Sequence, residues 1–383
     1  MIDKKQLNAW PQSIPITQPT MPNIEDYIHS VKDIFASKWL TNNGQYHRKL
    51  EEKIAEYCDC PHINLVNNGT MAILLAIATL DIPEKGEIIT TPFTFAATTH
   101  AIDWLGYKPV FADIDPVTGN ICPKSVQKSI TSQTRAVLAV HIFGTPCDHD
   151  ALSKVCSEKN IPIIYDAAHA FGVKVKGQSI FNLGHISATS FHATKLFSTV
   201  EGGAVFVQDA ETKNHLDKLK NFGILNENKI QYSGLNMKLS ELHAAFGLQL
   251  IDSVDAEIKK RSEIAKIYQD ELSDIDSLFI ITTGKGFEPN WSFFSILIDE
   301  EKSGVSRDVL YSELKTLNIF TRRYFYPLTS SVPKYKNLAS ASSLPMAEKW
   351  GKQVLCLPIY GALEKDAAKF IAQSIRNIIK LSQ

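Results

Sequence analysis

Between about residue 60 and residue 210, short β-branched apolar runs alternate with segments of helical periodicity, and few architectures accept that pattern. Ile63–Val66, Glu87–Thr91, Pro109–Asp113, Ala136–Phe143, Ile161–Tyr165, Ser187–Phe191 and Ala204–Val207 read as strands. Met71–Leu80, Ala96–Leu105 and Ala151–Lys159 read as helices between them. Parallel neighbours in a sheet need a long crossover, usually helical. The alternation therefore predicts an α/β fold of βαβ units, with a mostly parallel seven-stranded sheet sandwiched by helices. Chemically active groups in such sheets collect beyond the carboxyl ends of the strands.

The rest of the chain reads as accessory structure. Residues 1–30, rich in Pro and Gln, are expected to form an extended arm, followed by an ordered loop at Ser37–Gly44 and a helix at His47–Tyr57. Ser240–Leu250 and Ile251–Leu272 have the spacing of long helices. A smaller C-terminal α+β domain follows, with a strand at Ser292–Ile298 and helices at Arg307–Leu317 and Ala362–Leu381. Single cores stop growing at roughly 250–300 residues. The 383 residues are accordingly expected to divide into a large domain, 1–250, and a small one, 251–383.

Charge and cysteine content exclude several classes. Forty Lys and Arg stand against 41 Asp and Glu, a net charge of −1, so binding of nucleic acid through bulk charge is not expected. The six cysteines lack zinc-ligand spacing, which predicts no metal site and reduced thiols. The longest clean apolar stretch, Met71–Ala78, is far below the ~20 residues that span a bilayer. Met1–Gln6 has no apolar leader core. The expectation is a cytoplasmic protein without a membrane partner.

Four strand ends carry chemistry. The run Thr189–Gly203 places Lys195 among small hydroxyl residues after an apolar strand. A lysine there forms an imine with an aldehyde once desolvation lowers its pKa; the alternative is an ordinary solvated lysine. Asp166, directly after Ile161–Tyr165, is a carboxylate in apolar surroundings that requires a partner. A pyridinium nitrogen is such a partner, which makes pyridoxal phosphate (PLP) the cofactor that fits. His169, three residues on, either donates a hydrogen bond to the ring hydroxyl or is a core histidine. Asn67-Asn68-Gly69-Thr70 opens the helix after the first strand. Helix starts carry about half a positive charge and suit a phosphate, although the same residues also make a simple N-cap. Phe95, in Thr91–Thr98, either stacks on a flat ring or packs inward.

Gly69-Thr70, Phe95, Asp166-Ala-Ala-His169, and Ser190-Phe-His-Ala-Thr-Lys195 with Glu201-Gly-Gly resemble, in order and spacing, the DegT/DnrJ/EryC1/StrS sugar aminotransferases. The likeness runs from about residue 12 to the C-terminus and implies a fold-type I PLP enzyme. By that resemblance Lys195 holds the cofactor covalently and moves the proton, Asp166 pairs with the pyridine nitrogen, and Phe95 stacks on the ring. Gly69, Thr70 and Ser190 bind the phosphate. The segment Gly234–Glu241 is similar to the one whose asparagine reaches a neighbouring subunit's phosphate, so Asn236 implies a homodimer with shared active sites.

His169 stands where many members have glutamine, and Phe191–Thr194 replaces a segment with tyrosine and proline. With Trp39–Gly44 and His141–Asp148, these departures are most similar to a branch that aminates C4 of dTDP-4-keto-6-deoxy-D-glucose with L-glutamate, for O-antigen sugars. Thr321–Leu328 resembles the substrate segment, nominating Arg322, Tyr324 and Tyr326 as contacts; a solvated charged turn is the alternative. Three other readings stay open: a 3-amino-sugar transaminase, a dehydratase of the same fold (which would carry histidine at the lysine position), and a non-catalytic PLP-fold sensor.

Overall fold

The computed structural model describes residues 8–80, 82–83, 85–281 and 286–382. Met1–Gln6, where the sequence shows no apolar leader, lies outside the described residues.

The alternating region folds into one seven-stranded sheet: β1 (Ile63–Val66), β2 (Glu87–Thr90), β3 (Lys108–Phe111), β4 (Thr134–Val140), β5 (Ile163–Asp166), β6 (Ile186–Ser190) and β7 (Gly203–Val207). The spatial order is β1-β7-β6-β5-β4-β2-β3. Neighbours from β6 to β3 are parallel, whereas β7 is antiparallel to both β1 and β6. Every expected strand is present, within about two residues at most ends. Strands β1, β5 and β7 are buried along their whole length, as the unbroken apolar runs require of a sheet covered on both faces.

Four N-terminal helices position the site: α1 (Ile24–Ser37), α2 (Gln45–Tyr57), α3 (Gly69–Thr79) and α4 (Ala96–Trp104). Helix α3 is apolar nearly all round, with Ala72 to Ile77 buried, because it crosses beneath β6 and β7. Helix α2 presents Leu50 and Ile54 to the core, each worth ~1.5–3 kcal/mol of burial. Helix α1 departs from the extended arm expected over residues 1–30. Asn23 supplies the reason: its side chain accepts the Glu25 and Asp26 N–H groups, two acids occupy the first turn, and Ile34 is buried.

The helices expected at 240–272 are shorter and broken. Glu241–Leu248 and Val254–Leu272 are separated by a turn of 3₁₀ helix, Ile251–Ser253. A three-stranded antiparallel sheet, Leu278–Ile280, Phe294–Ile298 and Val354–Leu357, lies in the C-terminal third. A separate apolar cluster gathers Ile264, Tyr268, Ile296, Leu310, Leu355 and Ile375. Ile14 belongs to that cluster, and its N–H and C=O bond to Asn318 and Phe320, at 2.8 and 2.9 Å. The N-terminal arm therefore packs against the C-terminal structure before the chain enters the large sheet.

Candidate active site

The carboxyl ends of β1, β2, β5 and β6 open onto one cavity of about 370 Å³. Gly69, Thr70, Phe95, Asp166, His169, Ser190, Lys195, Arg322 and Tyr324 all line it. Elements far apart in sequence converge here because β7 runs antiparallel. Gly203 pairs with Val66 on one side and with Ser190 on the other, so the entry of β7 brings the start of α3 against the end of β6.

Lys195 rides on the turn between β6 and β7. The turn is closed by Lys195 N–H to the His192 carbonyl (2.9 Å), Ala193 N–H to Val200 (2.8 Å) and Thr199 N–H to Phe191 (2.9 Å). Phe191 and Phe197 anchor it below, edge to face at 5.0 Å and both buried. Burial lowers the Lys195 pKa, opposed by the Asp166 charge. Among the described residues no ion pair joins Lys195 to an acid.

Asp166 ends β5 and is 5% exposed. Its Oδ2 accepts from Thr98 Oγ1 (2.8 Å) and its Oδ1 from the Ala168 N–H (3.1 Å). Burial raises its pKa; Thr98, Ala168 and Lys195 oppose that rise. His169 is buried, and its Nδ1 accepts the Phe143 N–H at 3.3 Å. An amide donor needs an unprotonated nitrogen, so the ring carries its proton on Nε2. Burial, with Lys195 and His141 nearby, holds the His169 pKa well below the ordinary range, and the ring is neutral. Phe325 stacks on it at 5.7 Å and 10°.

At the start of α3, Asn68 accepts the Met71 N–H (2.9 Å) and caps the helix. The N–H groups of Gly69 and Thr70 have no partner among the described residues, and Ser190 packs closely against Gly69. Phe95 is 61% exposed on the wall and contacts no other ring among the described residues.

These features fit PLP. The free amides and the Ser190 hydroxyl suit a phosphate. Phe95 is an uncovered apolar face, and Asp166 is a buried carboxylate with neutral donors only. Lys195 is a desolvated amine within the same cavity. The residues that would hold the cofactor are Lys195, Asp166, Phe95, His169, Gly69, Thr70 and Ser190.

Two nominated residues lie elsewhere. Asn236 is exposed and bridges Asn221 through its backbone, outside the cavity of the single chain. Tyr326 is also exposed, with its ring beneath the Arg307 and Arg323 guanidinium groups at 5.0 and 5.8 Å. Arg323 is committed to Asp308 (2.8 Å) and to the Tyr311 ring (4.6 Å). Arg322 alone of that pair faces the cavity, with no ion-pair partner among the described residues. Its strand is fixed by two backbone bonds to Cys356, at 2.7 and 3.1 Å.

Thr94, His192 and Glu201, which carry no individual role in the sequence motifs, also line the cavity, and Thr98 stands behind it. Thr94 precedes the N-cap of α4 and Thr98 lies in its first turn, so helical spacing gives no signal that their hydroxyls meet.

Comparison with known proteins agrees with this geometry. The family model of the DegT/DnrJ/EryC1/StrS aminotransferases matches residues 23–376. A dTDP-4-amino-4,6-dideoxy-D-glucose transaminase of Shigella dysenteriae is 41% identical over 363 residues, covering 95% of this chain and 98% of that protein. One of the same name from Escherichia coli is 41% identical, covering 93% and 96%. Among solved structures, DesI in the presence of its TDP-sugar product is 33% identical with a TM-score of 0.90, covering 97% of this chain and 94% of that one.

Proposed function

This chain belongs to the DegT/DnrJ/EryC1/StrS aminotransferase family, with PLP as its cofactor, and on that premise we propose the reaction it runs. It transfers the amino group of L-glutamate to C4 of dTDP-4-keto-6-deoxy-D-glucose, giving dTDP-4-amino-4,6-dideoxy-D-glucose and 2-oxoglutarate. The 41% identity to the Shigella dysenteriae transaminase over 95% of the chain carries the choice of sugar. The convergence of Lys195, Asp166 and Phe95 on one cavity supports the chemistry.

PLP, when bound, supplies an aldehyde carbon that condenses with amines and a ring that takes up the electron pair of a broken C–H bond. The chain's own residues do the rest. Asp166 would keep a proton on the ring nitrogen, and Phe95 would pack against the ring. Gly69, Thr70 and Ser190 would hold the phosphate, and His169 Nε2–H would donate to the ring hydroxyl. The Lys195 amine, with a pKa lowered by burial, removes the proton from the donor's α-carbon. In the second half of the cycle it delivers a proton to C4 of the sugar. Arg322, a cation in the cavity with no ion-pair partner among the described residues, holds an anionic group of the substrate, with Tyr324 beside it.

The active unit we infer is a homodimer with shared sites. Asn236 is exposed on a segment that also exposes Phe222, Ile224, Ile230 and Leu235, and that surface suits a second copy whose phosphate Asn236 would reach. We divide the chain at residue 250 into a large PLP-binding domain and a small C-terminal domain. Six free cysteines, five of them buried, support a cytoplasmic setting. Among the described residues no helix is long and apolar enough to cross a membrane. The sugar product would serve O-antigen assembly in lipopolysaccharide. Mass spectrometry of products from glutamate and dTDP-4-keto-6-deoxyglucose, followed by NMR, tests the proposal. Nitrogen at C4 supports it; nitrogen at C3, or no sugar product, overturns it.

A further inference from the structure

We propose that Thr98, backed by Thr94, is a positioning residue that locks the Asp166 carboxylate toward the cofactor's ring nitrogen. The inference rests on the reading of Asp166 given above. Thr94 and Thr98 are buried, at 2% and 0% exposure, and their hydroxyl oxygens are 2.9 Å apart. Thr98 Oγ1 lies 2.8 Å from Asp166 Oδ2. A carboxylate only accepts, so the Thr98 proton points at Asp166, and its oxygen then takes the Thr94 proton. The chain of donors has one direction, from the cavity wall through Thr98 into the acid. Such chains polarise each link and strengthen the last bond.

Helical threonines ordinarily bond back to the carbonyl one turn earlier. Thr98 spends its hydroxyl on a residue 68 positions away instead. With the Ala168 N–H on the other oxygen, both carboxylate oxygens are held, and the carboxylate plane has one orientation.

Among the described residues Lys195 is the one titratable group whose charge acts on the acid, and two histidines come from the elements packed beside it. Lys195 comes from the turn after β6, His169 from the segment after β5, and His141 from the end of β4, where its N–H meets the Asp166 carbonyl at 3.1 Å. Burial keeps both imidazoles neutral, with His141 down to about 3. Lys195 is the one cation near Asp166 among them, and it makes no ion pair with the acid. The hydroxyl chain is therefore the main fixed support of the carboxylate besides the Ala168 amide.

The test compares Thr98→Ser with Thr98→Ala, which share the same lost methyl and differ by the hydroxyl alone, so a packing defect affects both. PLP is titrated into each apoprotein by absorbance across pH, with Thr98→Val and Asp166→Ala alongside. Hydrogen bonds to charged groups predict that Ala and Val bind PLP about 10- to 100-fold more weakly, while Ser stays within about twofold of wild type. Losing the donor raises the Asp166 pKa further, so the acid limb of the affinity profile moves to higher pH in Ala and not in Ser. Equal affinities and profiles for Ser and Ala overturn the proposal. If Asp166→Ala also binds PLP normally, the reading of Asp166 itself fails. If only Asp166→Ala is weakened, Thr98 has no positioning role and that reading stands.

Discussion

Gly69→Ala tests whether the junction of α3 and β6 is as tight as the proposed phosphate cradle requires. An alanine Cβ at this position would lie 2.6 Å from Ser190 Cβ, 3.0 Å from Ser190 Oγ and 3.2 Å from Ser190 Cα. Carbon atoms pack at about 3.5–4.0 Å, so roughly 1 Å of separation has to be found. The strand cannot retreat. Ser190 is registered against Gly203, and a Cβ on Gly203 would itself lie 2.7 Å from the Thr189 carbonyl oxygen and 2.8 Å from that of Asn68. The first turn of α3 must therefore shift, and it carries the free Gly69 and Thr70 amides. Overpacking costs about 1–3 kcal/mol. Alanine's smaller unfolded-state entropy offsets about 0.4–1 kcal/mol of that, because Gly69 needs no left-handed backbone. The net loss of ~0.5–2 kcal/mol is one of folding stability, read by urea titration, and displacement of the Gly69 and Thr70 amides predicts weaker PLP binding, read by titrating apoprotein with PLP. In a Ser190→Gly background the offending Cβ and Oγ are gone, and the same substitution should cost much less. Equal costs in both backgrounds, or wild-type affinity in Gly69→Ala, would mean that the α3–β6 junction is not tight at Gly69.

Three further outcomes follow from the same geometry. Lys195→Ala should fold normally by circular dichroism yet lose all turnover and the visible absorbance of bound cofactor; retained turnover would contradict the assignment of Lys195. Arg322→Gln should raise KM for the charged substrates about tenfold or more with the melting temperature unchanged, because Arg322 has no ion-pair partner to lose among the described residues. Glu51 predicts a pH signature of stability: burial opposes its ionisation, but His47, Lys220 and Lys213 outweigh it and bring its pKa from 4.5 to about 2. A depressed carboxylate stabilises the fold above its unfolded pKa and loses that contribution as pH falls through its folded pKa. Glu51→Gln should thus be less stable than wild type by about 3 kcal/mol at pH 7 in urea titrations, with the gap closing between about pH 5 and pH 2.

The large sheet was legible because its seven strands are mostly buried, and short β-branched runs mark such strands without help from tertiary context. The same reasoning placed Asp166 and Lys195, since each stands at the end of an apolar run where a charge has no generic purpose. Helix α1 was not legible, because its start depends on Asn23 capping a segment that otherwise reads as an arm rich in Pro and Gln. Thr98 escaped notice because threonine in a helix is chemically mute until its partner, 68 residues away, is known. The substrate segment is only partly legible in the sequence. Arg322 and Arg323 are adjacent in sequence, yet Asp308 and Tyr311 draw Arg323 away and Arg307 holds the Tyr326 ring outside the cavity. Asn236 points to a different gap: it is exposed on an exposed apolar segment, and the role proposed for it would need a second chain.

Borohydride reduction of the protein loaded with PLP, followed by peptide mass mapping, identifies the lysine that carries the cofactor, because reduction makes a lysine–cofactor bond permanent. The cofactor's added mass is expected on the peptide carrying Lys195, and on no other lysine. Label on a different lysine, or no label at all, would contradict the role given to Lys195.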